Sequence, residues 1–267
     1  MKKLIALILV LIMVLSLAAC AGKKDEPAAD APAADAPAAD APAADEPAAD
    51  EPAADEPVAD EPAADEPVYM THDEYIAAEL DSEVLIKTHV QAWQSWWDNK
   101  ITLYCQDDEG AYFVYEAACT EEQAAQLVYG AEIVIHGYKG EWAGEVEIMD
   151  ATIEINPDSI LVPEVFDATE LLGTDELIAH QNEMVLFRGL TIESITYKND
   201  EPGDDIYVTV SYNGASYDFC VERYLTDPDT DVYKAFADLK AGDVVNIAGF
   251  LYWYEGVNTH ITAVELA

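Results

Sequence analysis

The sequence predicts an all-β class, mainly β protein that carries two tandem five-stranded Greek-key barrels. The first observation is an internal repeat, because the pattern at Leu127–Ile155 recurs at Leu239–Leu266 with three glycines at the same seven-residue spacing. The second is the order of elements, since three strands, a helix and two strands follow one another twice. The third is Asn213-Gly214 between alternating apolar and polar residues, a strong signal for a β-hairpin.

The first barrel is predicted to occupy residues 69–155. A short amphipathic helix at Thr71–Leu80 leads into it, and the alternation that follows is typical of strands. The predicted strands are Glu83–Trp97, Lys100–Gln106, Ala111–Ala117, Ala131–Lys139 and Gly144–Ile155. Thr120 and Gln123 have the spacing of a capping box, which predicts a helix at Glu121–Val128, between the third and fourth strands.

A connector at residues 156–182, with a short helix at Asp175–Gln181, leads to the second barrel at residues 183–267. Its first three predicted strands are Glu183–Tyr197, Ile206–Tyr212 and Ala215–Arg223, and the second copy of the repeat supplies the other two. A helix at Asp231–Leu239 again separates the third and fourth strands. A type I′ turn at Asn213-Gly214 would pair Val210 with Tyr217, Val208 with Phe219 and Ile206 with Val221.

Residues 1–19 are predicted to be a lipoprotein signal peptide, because two lysines and a short apolar run precede small residues. The ending Leu17-Ala18-Ala19-Cys20 resembles the lipobox of bacterial lipoproteins. This resemblance implies cleavage before Cys20 and lipidation of its thiol. The protein would then be lipid-anchored to the cell membrane on the extracytoplasmic side, at the cell surface. An ordinary secreted protein with an incidental Cys20 is the alternative.

Residues 20–68, which begin at the lipidated Cys20, are predicted to be a disordered acidic tether. The pentad (Glu/Ala)-Pro-Ala-Ala-Asp repeats from Glu26 to Asp65. Proline at every fifth position opposes helix formation, and regular negative charge keeps such a segment extended and solvated. In polyproline II form the stretch from Lys23 to Val68 would reach on the order of 140 Å as an upper bound. A linker of this length would hold the barrels away from the membrane.

The region that follows the tether is strongly acidic. Of the 54 acidic and 12 basic residues in the chain, 39 and 8 lie in Tyr69–Ala267, which gives this region a net charge of −31. Nucleic-acid binding draws most of its affinity from contacts between phosphates and Lys or Arg. Nucleic acids and other polyanions are therefore expected to be unfavourable partners.

No catalytic motif occurs in the sequence. The five histidines form no His-x-x-x-His pair, and neither a Gly-x-Ser-x-Gly elbow nor a phosphate-binding glycine loop is present. Cys105, Cys119 and Cys220 have no zinc-site spacing and are expected to be buried free thiols. We therefore expect neither enzymatic activity nor a cofactor.

A weak metal candidate lies at Asp227, Asp229 and Asp231, whose spacing matches the start of a calcium-binding loop. Val232 stands where such a loop needs glycine, so the match is incomplete. The favoured interpretation is a helix N-terminus capped by Asp229 or Thr230, where the helix dipole stabilises negative charge.

The long first strand, the hairpin, the helix ending in Leu-x-x-Gly and the strand-Gly-strand unit resemble the OB-fold superfamily. Within it, the sequence is similar to the nucleic-acid-binding or tRNA-anticodon-type modules over about Glu83–Ile155 and Glu183–Leu266. The resemblance implies ligand binding across the second and third strands, between the loops that follow the first and fourth strands. The scarcity of Lys and Arg departs from the members that bind nucleic acids.

Aromatic side chains gather at this part of the first predicted barrel. The candidate ligand-binding residues are Trp96, Trp97, Tyr104, Phe113, Tyr115 and Trp142. A hairpin turn at Asp107–Gly110 would place Tyr104 opposite Phe113, on the other side of the sheet from Leu103. Aromatic faces beside carboxylates suit sugar rings, peptide side chains and cations. The alternative is that these rings fill the barrel or pack against its neighbour.

The sequence therefore predicts an extracytoplasmic surface lipoprotein that acts as a non-catalytic binding module for a glycan or peptide. In a second interpretation it is a structural or protein-interaction component of an envelope complex, with the aromatic rings packed away. Nucleic-acid binding follows only by analogy with the fold. The expected partners are thus the membrane, through the N-terminal lipid, and an unidentified glycan, peptide or envelope protein.

Overall fold

A computed structural model describes residues 67–267. The predicted signal peptide, the lipidation site at Cys20 and the tether up to residue 66 lie outside the described residues. Strands dominate the described part, so the fold is mainly β, as predicted. In this part no helix has both the length and the apolar character needed to cross a bilayer.

Five antiparallel and parallel strands close the first barrel. They are β1 (Glu83–Trp93), β2 (Lys100–Gln106), β3 (Ala111–Ala118), β4 (Ala131–Trp142) and β5 (Glu145–Ile160). The order around the barrel is β1-β2-β3-β5-β4, and β4 pairs back onto β1. This is the five-stranded Greek-key order expected of an OB barrel.

The second barrel repeats this order. Its strands are β7 (Met184–Tyr197), β8 (Ile206–Tyr212), β9 (Ala215–Val221), β10 (Val244–Phe250) and β11 (His260–Leu266), after a two-residue β6 (Phe166–Asp167) in the connector. The sheet runs β7-β8-β9-β11-β10, and pairing between β10 and β7 completes the ring. The short β6, which the sequence did not predict, pairs in parallel with the start of β7.

The helices lie where the sequence predicts them but are shorter. They are α1 (His72–Ala77), α2 (Glu121–Ala124) and α3 (Asp231–Ala235), with 3₁₀ turns at Thr169–Leu171, Leu177–His180 and Lys198–Asp200. The ammonium of Lys139 lies at the end of α1, where it donates hydrogen bonds to the carbonyls of Ile76 and Ala78. After the single turn of α2 the chain turns away, so that Leu127 enters the core. Gly130, with a left-handed φ of 82°, directly precedes β4.

Three predicted strand ends were wrong by three residues or more, and one of them is the end of β4, which continues to Trp142 rather than stopping at Lys139. β1 stops at Trp93 rather than Trp97, because the amide of Ser95 turns away from the sheet and donates to the carbonyl of Tyr224. β5 continues past Ile155, because its far end pairs with the start of β4. The connector helix predicted at Asp175–Gln181 is a short 3₁₀ turn.

The second-barrel hairpin confirms the predicted register. Asn213 and Gly214 have φ values of 52° and 84°, which define a type I′ turn. The pairs are Val210 with Tyr217, Val208 with Phe219 and Ile206 with Val221. The apolar members of these pairs enter the barrel core, so a two-residue turn sets the register of the whole hairpin.

The repeated glycines occupy equivalent places in both barrels. A Cβ on Gly137 would lie 2.8 Å from the carbonyl oxygen of Met149, and one on Gly249 would lie 2.2 Å from that of His260. Both glycines lie where the register shifts between the fourth and fifth strands of their barrel. The repeat thus marks the point at which two strands approach too closely for any side chain.

Each barrel has its own core, and a third aromatic cluster lies between the barrels. Leu103, Cys105 and Val114 face the first core, whereas Phe187 and Phe219 face the second. The cluster between the barrels contains Tyr104, Phe113, Phe250 and Tyr252. Cys105, Cys119 and Cys220 are buried free thiols, as predicted.

Candidate functional site

The candidate site lies on the outer face of β2 and β3. Tyr104 pairs with Phe113 and Leu103 with Val114, in the predicted register. Leu103 and Val114 face the barrel core, so Tyr104 and Phe113 project to the outside of the barrel. The predicted assignment of faces is therefore confirmed.

The second barrel covers one half of this face. Tyr104 stacks on Phe250 at 4.5 Å between ring centroids, and Phe113 meets the edge of Tyr252 at 5.1 Å. Tyr104 and Phe113 are both buried. Their prediction as members of an open ligand-binding face was wrong, because they form the contact between the two barrels instead.

A buried hydrogen bond belongs to this contact. The oxygen of Tyr104 lies 2.6 Å from Nδ1 of His260, in the second barrel. Burial lowers the pKa of His260 to about 3, so the imidazole is neutral and its Nδ1 shares a hydrogen bond with the hydroxyl of Tyr104. The amide of Gln94 donates to the same hydroxyl oxygen. Polar and aromatic contacts thus hold the barrels together at this point.

The other half of the face remains open as a cleft of about 450 Å³. Three exposed aromatic rings line it: Trp97, Tyr115 and Tyr224 have exposed fractions of 71%, 46% and 54%. Trp96 lies at the back of the cleft, where it is partly buried against the core of the first barrel. The cleft therefore contains three of the six predicted aromatic residues, and Tyr224 adds a ring from the second barrel.

A tight turn fixes the position of Trp97. Trp97 and Lys100 exchange backbone hydrogen bonds across Asp98 and Asn99, which both have positive φ values, as in a type I′ turn. The amide of Cys119 donates to the carbonyl of Asn99, which ties the turn to the end of β3. Trp97 is thus an exposed ring on an anchored turn rather than at the end of a free loop.

Trp96 adds a second anchor to this turn. Its indole Nε1 donates to the carbonyl of Cys119 at 2.8 Å. Adjacent tryptophans therefore take opposite roles, since Trp96 holds the loop against the barrel and Trp97 faces solvent.

Charged and polar groups border the rings. Lys100 forms an ion pair with Glu116 at 2.6 Å, and this pair lies beside Tyr115 in the cleft. Partial burial and the Glu116 carboxylate raise the pKa of Tyr115, which keeps its phenol neutral. Glu116 has a φ of 47°, and its amide donates to the hydroxyl of Thr102. A strained residue thus redirects β3 at the edge of the cleft.

Tyr224 is the member of the cleft that the sequence did not suggest. It follows the end of β9, and its carbonyl accepts the amide of Ser95, which joins the barrels. The guanidinium of Arg223 lies 5.1 Å from the centre of its ring. No local pattern places this ring beside Trp97, because their proximity depends on how the two barrels pack.

Trp142 does not join the cleft. It lies at the turn between β4 and β5 and packs against Tyr254 from the equivalent turn of the second barrel, at 5.1 Å between ring centroids. The amide of Glu255 donates to the carbonyl of Ala143, which joins the two turns directly. The predicted convergence of Trp142 with the other aromatic residues was therefore wrong.

The carboxylates at Asp227, Asp229 and Asp231 belong to a helix start. Thr230 accepts the amide of Tyr233 as the N-cap of α3, which confirms the capping interpretation. Asp227 accepts the amide of Asp229 through its own side chain. Across residues 67–267, no group of three His, Cys, Asp or Glu side chains is arranged to hold a metal ion.

Comparisons with known proteins give structural likenesses only. No protein-family model and no curated protein matches the sequence. A murine DNA-binding protein, solved bound to double-stranded DNA, is 11% identical over 68% of this chain and 96% of that chain, with a TM-score of 0.34. The p204 HINb domain is 12% identical over 71% of this chain and 100% of its own, with a TM-score of 0.33.

A replication protein A heterotrimer bound to single-stranded DNA is 13% identical over 69% of this chain and 48% of that chain, with a TM-score of 0.30. At such low identities and TM-scores these likenesses carry no functional argument. The assignment of OB-type barrels here depends on the strand order of the chain itself.

Proposed function

We propose that this protein is a non-catalytic binding module that holds a neutral glycan in the cleft between Trp97, Tyr115 and Tyr224. The supporting observation is that three exposed rings from two barrels border one cleft, on the strand face through which OB barrels bind oligosaccharides and oligonucleotides. Solvent-exposed aromatic rings that gather in a concave site are typical of ligand recognition.

The chemistry of the cleft favours a sugar. Aromatic faces pack against the apolar C–H face of a sugar ring, while the polar groups beside them bind its hydroxyls. The Gln94 amide, the Lys100 ammonium and the Glu116 carboxylate supply donors and acceptors at the border of the cleft. The acidic surroundings disfavour acidic glycans, so a neutral oligosaccharide is the preferred ligand and a peptide is the alternative.

A binding array tests this proposal. Full-length protein is applied to an array of glycans, peptides and single-stranded oligonucleotides at low salt, with and without calcium. We expect neutral glycans to bind. The affinity for these glycans should fall about tenfold or more in Trp97→Ala and Tyr115→Ala. The reason is that aromatic rings covered by a bound ligand contribute much of the binding free energy.

Trp142→Ala is the matched control, since it removes an exposed tryptophan outside the cleft and should leave affinity unchanged. A glycan that binds Trp97→Ala as tightly as wild type would contradict the proposal. A blank array would favour the structural or envelope-complex role, and oligonucleotide binding would favour the analogy with nucleic-acid-binding OB domains. The negative charge of the barrels argues against oligonucleotide binding.

We also propose that the N-terminal lipid places this module on the extracytoplasmic side of the cell membrane. The supporting observation is the lipobox-like ending Leu17-Ala18-Ala19-Cys20 after a short apolar run. Cys20→Ala is expected to move the protein from the membrane fraction to the soluble fraction of the same cells, or to leave it uncleaved. An unchanged mass and membrane location in Cys20→Ala would contradict lipidation.

A further inference from the structure

A second hollow, of about 460 Å³, adjoins the aromatic cleft. Lys100, Tyr115 and Glu116 line both, so the two hollows meet along these three residues. We call the second one the polar hollow, and its other lining residues include Asp98, Asn99, Ala118, Asp150 and Thr152. A ligand held by the rings of the cleft therefore has a second concave surface directly beside it.

One turn supplies a wall to both hollows. Trp97 lines the cleft, the next two residues, Asp98 and Asn99, line the polar hollow, and Lys100 lines both. Backbone hydrogen bonds between Trp97 and Lys100 hold this turn closed. The backbone on either side of the border between the hollows is thus fixed in position before a ligand binds.

An irregularity shared by β3 and β5 lies at the polar hollow. β5 pairs with β3 at Ile148 and again at Thr152. Between these two pairs, Asp150 of β5 has a positive φ of 50°, and Glu116 of β3 has one of 47°. Both strands therefore leave regular strand geometry at the same level of the sheet, where Asp150 and Glu116 line the hollow.

The polar hollow carries groups that bind hydroxyls. Four of its exposed side chains offer two carboxylates, an amide and a hydroxyl, and they are Asp98, Asn99, Asp150 and Thr152. Carboxylates accept hydrogen bonds, whereas amides and alcohols both donate and accept them, which suits the hydroxyls of a sugar. Because Lys100 is already paired with Glu116, the hollow is negative and disfavours acidic sugars.

The two hollows differ in chemistry, and each is large enough for a ligand by itself. Exposed rings border the cleft, whereas hydrogen-bonding side chains border the polar hollow. Their volumes of about 450 and 460 Å³ both lie within the range of small-molecule sites, roughly 300–1,000 Å³. A ligand that fills both hollows is therefore longer than a ligand that fills the cleft alone.

We propose that the cleft and the polar hollow together bind one linear, neutral oligosaccharide, so that the affinity increases with the length of the chain. This inference rests on the proposed function, because the rings of the cleft hold one part of the same chain. Tyr115 lines both hollows and lies under the middle of the chain, where its ring packs against a sugar face. The polar hollow binds the hydroxyls of the sugar units that extend beyond the cleft.

Isothermal titration of the full-length chain with four neutral oligosaccharides tests this inference. The probes are cellobiose and cellohexaose, with di-N-acetylchitobiose and hexa-N-acetylchitohexaose as a second pair. We expect at least one hexasaccharide to bind about tenfold or more tightly than the disaccharide of its pair, because the longer chain reaches the polar hollow.

Two glycine variants remove side chains from the polar hollow while they preserve the backbone. Asp150 and Asn99 have positive φ values, of 50° and 59°, which glycine adopts freely. Asp150→Gly and Asn99→Gly should each weaken binding of the hexasaccharide by about tenfold, because hydrogen bonds to its hydroxyls are lost. The affinity for the disaccharide should not change, since the disaccharide lies in the cleft.

Ala118→Arg gives an independent test, because a long side chain on this exposed residue fills the polar hollow and should abolish the gain from chain length. Asp200→Gly is the matched control. Asp200 is also an exposed acid with a positive φ, of 58°, but it belongs to the second barrel and lines neither hollow. This variant should keep the wild-type affinities for the hexasaccharide and for the disaccharide.

Equal affinities for the hexasaccharide and the disaccharide in both pairs would overturn the inference. So would wild-type affinity for the hexasaccharide in all three folded variants of the polar hollow. In either case, a disaccharide whose binding is lost in Trp97→Ala leaves the proposed function standing. Failure of all four probes to bind at millimolar concentrations also overturns this inference, and the proposed function fails with it only if the glycan array is blank.

Discussion

Gly249→Ala is expected to lower the free energy of unfolding by about 3 kcal/mol, at the upper end of the cost of overpacking. The added Cβ would lie 2.2 Å from the carbonyl oxygen of His260 and 2.9 Å from its carbon. Both are backbone atoms of the neighbouring strand, so no rotation of a side chain relieves the clash. β10 and β11 would have to separate at the register shift between Ala248 and Gly249.

Urea denaturation of wild type and variant at one pH measures this loss, as a lower midpoint at an unchanged slope. Gly189→Ala is the matched control: it also lies in the second barrel, at a φ of 67°, but its Cβ would meet open space. The free energy of unfolding of Gly189→Ala should therefore fall only by the cost of placing an alanine in the left-handed region, about 1 kcal/mol. Equal losses in the two variants would show that the close approach of β10 and β11 is unimportant.

The hairpins and the repeated glycines could be predicted because their causes are local. Asn213-Gly214 adopts the two positive φ angles of a type I′ turn, and alternation then sets every pair of β8 and β9. The recurrence of Gly137 at Gly249 predicted equivalent positions, and both are points of close strand approach. Local signals of this kind determine the barrel order as well as the registers.

The composition of the site could not be predicted, because it depends on how one barrel packs on the other. Alternation put Tyr104 on the outer face of β2, but it says nothing about what covers that face. The second barrel covers Tyr104 with Phe250 and leaves Tyr115 open. Tyr224 reaches the cleft by the same packing, although its neighbours in sequence give no sign of it.

The burial of Glu145 is equally non-local. In the sequence it is one acidic residue after an Ala-Gly turn, and such residues are normally exposed. In the fold the second barrel covers it, and the amide of Trp253 binds its Oε2. A carboxyl group in this setting has a consequence for stability that the sequence could not suggest.

Glu145→Gln is expected to stabilise the protein by roughly 3 kcal/mol above pH 8. The pKa of Glu145 is raised from 4.5 to about 8 in the folded state, chiefly by burial. Between these two pH values the folded protein binds more protons than the unfolded chain, so this group's contribution to stability is complete below pH 4.5 and lost as the pH rises through 8. A glutamine at this position still accepts the amide of Trp253 and is never charged, so its contribution to stability does not fall as the pH rises.

Free energies of unfolding from urea titrations between pH 6.5 and 9 measure the effect. This window avoids His260, whose lowered pKa of about 3 makes stability fall as the pH drops from about 6.5 towards 3. Glu141→Gln removes the same charge from an exposed site of the same barrel and should leave the wild-type pH profile unchanged. If Glu145→Gln and Glu141→Gln gave parallel profiles, Glu145 would be ionised in the folded protein at neutral pH. Water or a cation would then have to compensate its charge. A shallower profile in Glu145→Gln than in wild type would instead show that this buried carboxyl group is one reason why alkaline pH destabilises the fold, beside Glu222, whose pKa burial raises to about 7.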